Sequence, residues 1–326
     1  MLKDQHDRSH NYLRISLTDN CNLRCFYCMP EEDYEFTPAS RLMQTDEIIA
    51  LAKIFVSQGV NKIRLTGGEP LVRKDAAEII LGLSQLPVSL TMTTNGTRIH
   101  EFLPVLEEAK VKKLNISLDT LKAEKFSVVT RRDQFDLVMR NIETIIARGF
   151  EVKINVVLMK GFNDDEILDF VAWTKDTPVE IRFIEFMPFT GNKWTNNKVL
   201  SLEELLIIIG SRYDFEAVAG NPNDTAQHFS IQGHKGSFAV IGTMTSPFCG
   251  TCNRLRLTAD GKLKNCLFSK GETDLLTAFR NGENVLPLIK VSVMGKAKAL
   301  GGQFDSSLNT LDSLSIKNRS MITIGG

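Results

Sequence analysis

The sequence predicts an α/β protein built as an incomplete, six-unit β/α barrel with a C-terminal extension. Six short runs of β-forming residues alternate with longer segments of helical pattern over roughly the first 190 residues. Serial β/α units form a parallel sheet that curls towards a barrel, and six units fall short of the eight that close the standard barrel. After about residue 190 the alternation fades. We therefore divide the chain into a partial barrel, 1–190, and an extension, 191–326.

The predicted elements follow one another in a regular order. The six strands are the runs YLRISL, KIRLTGGEP, SLTMTTNG, KLNISLDT, EVKINVVLMKG and EIRFIEFM. Helical segments such as TDEIIALAKIFVSQG, DQFDLVMRNIETIIARG and DDEILDFVAWTK separate them. In the extension we expect a helix at LSLEELLIIIGSRY and short strands at HFSIQG and GSFAVIG. The stretch KALGGQFDSSLNTLDSLSIKNRSM is expected to be a flexible, polar connector.

Composition excludes several classes of function. The chain has 326 residues and 43% hydrophobic content, enough for a substantial core. Basic and acidic residues balance at 39 each, so no overall field indicates nucleic acid or a membrane surface, and any anion site must be local. The polar N-terminus lacks the apolar core of a signal peptide, and its first residues look unstructured. No apolar run approaches the roughly 18 residues of a membrane span. We expect a cytoplasmic protein.

Polar residues occupy one face of every predicted strand. In a β/α barrel the outward face packs under helices and alternate residues point into the lumen. A lumen lined by polar side chains is expected to be open and to hold a large polar ligand, although a single strand with one solvent-exposed face would give the same pattern. The inward residues are Arg14 and Ser16, Lys62 and Arg64, Thr91 and Thr93, Asn115 and Ser117, Lys153 and Asn155, and Glu180 and Arg182.

Three cysteines, Cys21, Cys25 and Cys28, follow the first strand in the stretch TDNCNLRCFYCMP. We call them the first triplet. A set of three thiolates leaves one coordination position open on a metal or iron-sulfur cluster, and the site falls at the strand ends where β/α barrels place their active sites. A zinc site completed by a distant histidine, or a redox-active Cys25/Cys28 pair, are the alternatives.

The Cys-x3-Cys-x2-Cys spacing with Tyr27 before the last cysteine resembles the radical S-adenosylmethionine (SAM) enzymes. The resemblance implies a 4Fe-4S cluster on the first triplet, SAM bound to its open iron, and a 5′-deoxyadenosyl radical that abstracts hydrogen from the substrate. It also implies cofactor contacts at Tyr27, Gly68 of TGGEP, Ser117 and Met187. Taken without the resemblance, Gly68 suits a plain turn and Met187 suits a core position.

A second triplet, Cys249, Cys252 and Cys266, lies in CGTCNRLRLTADGKLKNC. It again supplies three ligands, and odd triplets in a reducing compartment disfavour disulfides. Arg254 and Arg256 lie two apart, so both point to one face of an extended strand and suit phosphate oxygens. Without the cysteines, the pair would also suit an exposed basic edge.

Both triplets, the NRLRL segment and the C-terminal ITIGG together resemble the GTP 3′,8-cyclase family of molybdenum cofactor biosynthesis, over nearly the whole chain. The resemblance implies a second 4Fe-4S cluster that binds the guanine of GTP. It implies that hydrogen is removed from ribose C3′ and that the carbon radical attacks guanine C8, which gives 3′,8-cyclo-7,8-dihydro-GTP. It implies substrate contacts at Arg14, Arg64, Thr93, Lys153, Arg254 and Arg256.

The resemblance further assigns catalytic roles to Arg254, Arg256, Gly325 and Gly326, with the glycine tail entering the active site, although a terminal Gly-Gly would ordinarily be a frayed end. The implied partners are GTP, a cyclic pyranopterin monophosphate synthase that takes the product, an unidentified one-electron donor and a second copy in a homodimer. Neither nucleic acid nor membrane is expected.

Three other functions stay open at this point. A peptide-modifying radical SAM enzyme with an auxiliary cluster would need a peptide groove in place of a cationic lumen. A zinc-bound structural protein would use both triplets to staple loops. An iron-sulfur redox sensor would not need so many phosphate-suited side chains.

Overall fold

The computed structural model of the chain describes residues 1–30, 34–304 and 316–325. Within those residues one sheet contains twelve strands, in the spatial order β12-β11-β10-β1-β2-β3-β4-β5-β6-β9-β8-β7. Their bounds are β1 Tyr12–Ser16, β2 Lys62–Thr66, β3 Ser89–Thr94, β4 Lys113–Ser117, β5 Glu151–Leu158, β6 Val179–Glu185, β7 Phe215–Val218, β8 Gln227–Ile231, β9 Ser237–Ile241, β10 Arg254–Leu257, β11 Lys262–Lys264 and β12 Thr273–Asp274.

The α-helices follow the strands as the sequence pattern predicts. The longest in the described parts of the chain have 13 residues, and no described helix is both long and apolar enough to traverse a bilayer. Their bounds are α1 Thr45–Ser57, α2 Ala76–Ser84, α3 Ile99–Glu108, α4 Ala123–Thr130, α5 Phe135–Ala147, α6 Ile167–Trp173, α7 Leu202–Gly210, α8 Leu275–Arg280, α9 Leu286–Met294 and α10 Met321–Ile324.

The predicted six-unit barrel is confirmed, and the extension enlarges its sheet. Strands β1 to β6 pair in parallel in chain order. Strand β10 adds in parallel beside β1, and β9 adds in parallel beside β6. Antiparallel strands flank both additions, β11 and β12 on one side and β8 and β7 on the other. The open lumen is therefore bordered by eight parallel strands, two of which come from the extension.

The outward face of the sheet forms the main core. Each strand from β1 to β6 contributes apolar side chains that are fully buried, because parallel strands are covered by the helices that connect them. On the strands these are Ile15, Ile63, Met92, Ile116, Ile154 and Ile181, and on the helices they include Phe55, Ile80, Ile142 and Phe170. This packing leaves the alternate, polar residues of each strand to face inward.

The N-terminal segment is ordered, so the expectation that the first residues are unstructured is wrong. Leu2 is buried in the main core, and residues 3 and 9 form a β-bridge. Asp4 accepts hydrogen bonds from the Arg8 guanidinium and the His10 ring at 2.7 and 3.0 Å. A short polar segment gives no periodic signal, and the Arg8 guanidinium donates to the backbone carbonyls of Cys249, Ala297 and Lys298, far along the chain.

The expected polar connector is also partly packed. Leu300 is buried, and Arg319 forms ion pairs with Asp260 and Glu272 at 2.8 and 2.6 Å. Residues 305–315 of that stretch, together with Gly326, lie outside the described residues.

The burial of β6 predicts a matched pair of stability effects. Ile181 is fully buried on β6, whereas Ile207 on α7 is 66% exposed. We expect Ile181→Ala to lower the free energy of unfolding by about 2–5 kcal/mol because a cavity replaces packed methyl groups. Ile207→Ala, the control, should change it by less than about 0.5 kcal/mol. Denaturant unfolding of the cluster-free chain measures both free energies. Equal effects would contradict the burial of Ile181 on the outward face of β6.

Candidate active site

A cavity of about 740 Å³ occupies the lumen, within the range of small-molecule sites. The prediction of a polar lumen is confirmed, since ten of the twelve inward residues line the cavity. Eight basic and three acidic side chains border it. Every predicted substrate residue lies on its wall, namely Arg14, Arg64, Thr93, Lys153, Arg254 and Arg256.

Three arginines lie side by side across neighbouring strands. In the parallel register Arg14 on β1 is paired with Arg256 on β10 and with Arg64 on β2. Neighbouring strands are about 4.8 Å apart, so the three side chains leave the sheet close together on its inner face. Arg64 and Arg256 are 7% and 8% exposed. Like charges opposite one another across strands are destabilising, which makes this row a natural binding site for an anion.

The pKa values express the same crowding. Burial first, and then the positive charge of Arg256, hold the pKa of Arg14 well below its usual range. Burial and the neighbouring Arg254 lower the pKa of Arg256 to about 10. Burial would raise the pKa of Tyr12, but the nearby charges of Arg64, Arg14 and Lys62 bring it down to about 8. A polyanionic ligand would relieve these repulsions, because it would add opposite charge beside the arginines.

The opposite wall carries a counter-charge. Glu180 on β6 forms ion pairs with Arg182 and, at 3.0 Å, with Lys153, and it lies 3.2 Å from Nδ1 of the His228 ring. The pKa of Glu180 is lowered because these partners outweigh its burial. Arg182 therefore pairs with Glu180. The β5–β6 wall is closer to neutral than the wall formed by β10, β1 and β2.

The second triplet borders the cavity at the N-terminal ends of the parallel strands. Cys252 comes two residues before Arg254, which is paired with Tyr12 at the start of β1. All three of its cysteines are free thiols that line the cavity. Nitrogen donors approach two sulfurs: Lys296 Nζ is 3.4 Å from Cys252 Sγ, and the Leu300 amide is 3.4 Å from Cys249 Sγ. Burial raises the pKa of Cys252, but Arg254 and Lys296 outweigh it and lower the pKa to about 6.

The first triplet lies at the opposite, C-terminal ends of the strands, just after β1. Its thiols are free, and burial raises the pKa of all three, that of Cys21 to about 11. The Asn95 side-chain amide is 3.6 Å from Cys21 Sγ. Because β1 and β10 run parallel, the two triplets are separated by roughly the length of a five-residue strand, about 16 Å.

The TGGEP turn after β2 packs directly on the loop of the first triplet. The Gly68 amide donates to Thr18 O at 2.7 Å, and the Glu69 amide donates to Asn20 O at 2.8 Å. A Cβ atom on Gly68 would lie 2.4 Å from Asn20 O, so only glycine fits. The Glu69 carboxylate is fully buried and accepts from Thr94 and from the Leu71 and Asn95 amides. Burial raises its pKa to about 7.

The other predicted SAM contacts are Tyr27, Ser117 and Met187. Tyr27 donates a hydrogen bond to Asp119 at 2.7 Å, and Ser117 ends β4 two residues before Asp119. Burial raises the pKa of Asp119 to about 6, although it accepts from Tyr27 and Val157. Both residues therefore lie at the end of the sheet that carries the first triplet. Met187 comes two residues after the C-terminal end of β6, lines the cavity and packs against the apolar cluster that contains Phe268 and Ile324. Their roles towards a cofactor stay predictions.

The C-terminal tail enters the lumen between the two triplets. Gly325 O accepts a hydrogen bond from Arg256 at 2.6 Å, and its backbone has φ of +86°. A Cβ atom there would lie 2.8 Å from Ser16 and from Thr66, at the ends of β1 and β2. Ile324 anchors the tail in an apolar cluster with Phe268. Gly325 thus lies beside three inward-facing residues, its role in the active site stays a prediction, and Gly326 lies outside the described residues.

The donor chemistry of both triplets suits iron-sulfur clusters. Clusters of this kind are held by cysteine thiolates and are tuned by hydrogen bonds to sulfur. The described residues include no group of three His, Cys, Asp or Glu side chains that could hold a single metal ion. Three free thiols at each place, with N–H donors directed at Cys21, Cys249 and Cys252, are the groups that a 4Fe-4S cluster with one open iron requires.

Several residues of the site escaped the sequence analysis. Glu69, Asn95 and Asp119 come one to three residues after strands, at the edge where β/α folds place functional groups, and that positional signal could have found them. Arg8 and Lys296 carry no comparable signal, because their contacts with the second triplet are made over long sequence separations.

Comparison with known proteins identifies two families along the chain. Residues 15–174 match the Radical SAM superfamily, and residues 179–299 match the family described as Molybdenum Cofactor Synthesis C. The chain is 48% identical over 333 residues to GTP 3′,8-cyclase, mitochondrial, of Arabidopsis thaliana, covering 100% of this chain and 84% of the relative.

Two further likenesses differ in extent. Molybdenum cofactor biosynthesis protein 1 of Drosophila melanogaster is 48% identical over 304 residues, 91% of this chain, and the chain spans about half (54%) of that relative's length. The crystal structure of SuiB from Streptococcus suis has a TM-score of 0.60 at 19% identity, covering 92% of this chain and 69% of SuiB. At that identity it supports the fold alone.

The packing of Gly68 predicts a local defect at the first triplet. We expect Gly68→Ala to displace the loop that carries Cys21, because its Cβ would meet Asn20 O at 2.4 Å. Iron bound by the first triplet should fall below half of the wild-type level, while iron at the second triplet is retained. Gly271→Ala is the control, because a Cβ atom on Gly271 would have open space around it and its φ is not positive. Unchanged iron content in Gly68→Ala would contradict this packing argument.

Proposed function

We propose that this chain, which belongs to the GTP 3′,8-cyclase family of the radical SAM superfamily, converts GTP to 3′,8-cyclo-7,8-dihydro-GTP, the first step of molybdenum cofactor biosynthesis. The observation that carries the proposal is the row formed by Arg256, Arg14 and Arg64, which faces a cavity bordered by the second triplet. A nucleoside triphosphate meets both features, because it joins a polyanion to a heterocyclic base.

The two triplets supply the ligands for the family's cofactors. Cys21, Cys25 and Cys28 would hold the 4Fe-4S cluster that binds SAM, and Cys249, Cys252 and Cys266 would hold the second cluster. When bound, the first cluster and SAM supply the one-electron chemistry that removes a hydrogen atom from the substrate. The protein orients the reacting groups and shields them from water.

The triphosphate is assigned to the arginine wall. Guanidinium groups bind phosphate oxygens in pairs of parallel hydrogen bonds, and Arg14, Arg64, Arg254 and Arg256 lie together along β1, β2 and β10. Thr93 accepts from Arg64 at 3.3 Å, which orients that guanidinium. Lys153 adds charge from the opposite wall, where Glu180 limits it. The base then lies towards the second triplet, and the ribose lies between the two ends of the lumen.

The tail is assigned a part in catalysis with the two arginines of β10. Gly325 O is already bound to Arg256, so the tail and the substrate compete for, or share, the same guanidinium. We assign catalytic positioning to Arg254, Arg256, Gly325 and Gly326. Gly68, Tyr27, Ser117 and Met187 are proposed to contact SAM.

The partners of the protein and its compartment are also proposals. The product would pass to a cyclic pyranopterin monophosphate synthase, and an unidentified one-electron donor would reduce the first cluster. We propose a homodimer. We also propose a cytoplasmic location, since six free thiols suit a reducing compartment. The relative from Arabidopsis is mitochondrial. Finding this protein in an organelle would therefore overturn the proposed cytoplasmic location.

A peptide-modifying radical enzyme is the nearest competing function. Such an enzyme needs an open groove for an extended chain and neutral or mixed walls. The lumen instead presents eight basic side chains within one cavity. This charge favours a small polyanion over a peptide.

The reaction itself is tested on protein reconstituted without oxygen. We expect about eight irons per chain, as two four-iron clusters require, and formation of 5′-deoxyadenosine together with a GTP-derived product after addition of dithionite, SAM and GTP. Replacing Cys249, Cys252 and Cys266 by Ala should leave some uncoupled SAM cleavage and stop cyclisation. Zinc in place of iron, or 5′-deoxyadenosine without consumption of GTP, would overturn the proposed function.

Arg256 should contribute directly to GTP binding. It is 8% exposed and lines the cavity, so a buried phosphate contact would be worth about 2–5 kcal/mol. We expect Arg256→Ala to raise the Kd of GTP at least about thirtyfold, which corresponds to about 2 kcal/mol, by isothermal titration calorimetry. Arg148→Ala is the matched control, because the Arg148 side chain is 51% exposed in a surface ion pair with Glu107, and its Kd should not change. An unaltered Kd in Arg256→Ala would remove Arg256 from the site.

A further inference from the structure

The second triplet is covered by residues 296–302, which we call the strap. Its first residue, Lys296, is 2% exposed. The Lys296 ammonium donates to Arg254 O at 2.8 Å and lies 3.4 Å from Cys252 Sγ. Four residues on, the Leu300 amide lies 3.4 Å from Cys249 Sγ. The strap therefore directs two hydrogen-bond donors, one of them charged, at two of the three sulfurs.

The strap is fixed from its other side by the N-terminal segment. The Arg8 guanidinium donates to Ala297 O and Lys298 O of the strap, each at 2.8 Å. The same guanidinium donates to Cys249 O at 2.8 Å, so one side chain joins the strap to the backbone of a cluster ligand. Gln5 adds a side-chain hydrogen bond to Lys296 O at 3.3 Å.

Arg8 is itself held rigidly. Its Nε donates to Asp4 at 2.7 Å, and Asp4 also accepts from the amides of His6 and Arg8 and contacts the buried His10 ring. A buried guanidinium is tolerated only where its donors and charge are satisfied. Here the planar group meets three carbonyls and a carboxylate together, which a lysine cannot reproduce. The geometry thus requires arginine at this position.

We propose that Lys296 and Arg8 are positioning residues for the second 4Fe-4S cluster: Lys296 raises the reduction potential of that cluster, and Arg8 holds the strap that delivers Lys296 and the Leu300 amide. The inference rests on the proposed function, because it needs a cluster on the second triplet. Reduction adds negative charge to a cluster, so a buried cation and N–H donors at its sulfurs favour the reduced state.

The hydrogen-bond donors at the sulfurs of the first triplet differ from those at the second. Cys21 receives a neutral amide donor from Asn95 at 3.6 Å, whereas Cys252 has the charged groups of both Lys296 and Arg254 within 3.6 Å. The same cluster type placed in the two sites would therefore be reduced more easily at the second. The strap gives this difference a structural origin.

The test uses the reconstituted protein in which Cys21, Cys25 and Cys28 are replaced by Ser, so that only the second cluster is observed. Its midpoint potential is measured by redox titration followed by electron paramagnetic resonance. We expect Lys296→Met, which keeps the length and loses the charge, to shift the potential to more negative values. The matched control Lys290→Met, at an exposed position of α9, should leave it unchanged. An unshifted potential in Lys296→Met would overturn the role of Lys296.

The role of Arg8 is tested by how firmly the second cluster is held. In the same background we expect Arg8→Lys to increase the rate of iron extraction by a chelator severalfold, because the charge stays while the three-carbonyl contact is lost. Arg148→Lys, at the surface, is the control. Extraction at the wild-type rate in folded Arg8→Lys would overturn its part, and the Lys296 titration decides the inference if that variant does not fold.

Failure of the inference and failure of the proposed function are distinguishable. If the full chain binds about four irons, or if replacing Cys249, Cys252 and Cys266 removes none, the second cluster and the proposed function both fall. If eight irons bind, GTP is cyclised and Lys296→Met titrates like the wild type, the inference alone is overturned.

Discussion

Repulsion between three arginines on neighbouring strands is the constraint on which the lumen depends. At strand spacing and an effective dielectric constant of about 20, each adjacent pair repels by on the order of 3 kcal/mol. Among the described residues, Arg64 donates to the Tyr12 hydroxyl and to Thr93, and Arg256 donates to Gly325 O, all of which are neutral acceptors. Neutral acceptors orient guanidinium groups without cancelling their charge. The positive charge of the arginine row therefore favours the binding of a polyanion.

The position of the extension follows from the same demand. Six strands alone would supply Arg14, Arg64 and Lys153, but the row gains Arg256 only because β10 adds beside β1. The same strand carries the second triplet to the start of β1, opposite the first triplet at its end. One added strand thus provides a phosphate ligand and sets the separation of the two thiol sites. The tail, bound to Arg256 on that strand, occupies the space between them.

Periodicity predicted the part of this arrangement that depends on neighbours in sequence. Alternation with a period of two places Arg14, Arg64 and Lys153 inside the lumen, since successive side chains of a strand face opposite ways. Periodicity could not predict that β9 and β10 pair with the barrel strands, because this pairing joins residues that are far apart in the chain, such as Arg14 and Arg256. Arg8 and Lys296 were missed for a related reason: a single buried charge leaves no pattern, and only its partners define it.

The two ends of the lumen differ in how they treat negative charge. At the first triplet, burial dominates: the pKa values of Cys21, Glu69 and Asp119 are all raised, so free anions are disfavoured there. At the second triplet, burial raises the pKa of Cys249, whereas the cations of the strap and β10 outweigh burial and lower the pKa of Cys252. An iron-sulfur cluster must offset the thiolate charge at the first site, whereas the protein already offsets part of it at the second. The arginine wall continues this positive environment along β1 and β2, so an anionic substrate is drawn towards the second triplet and away from the first.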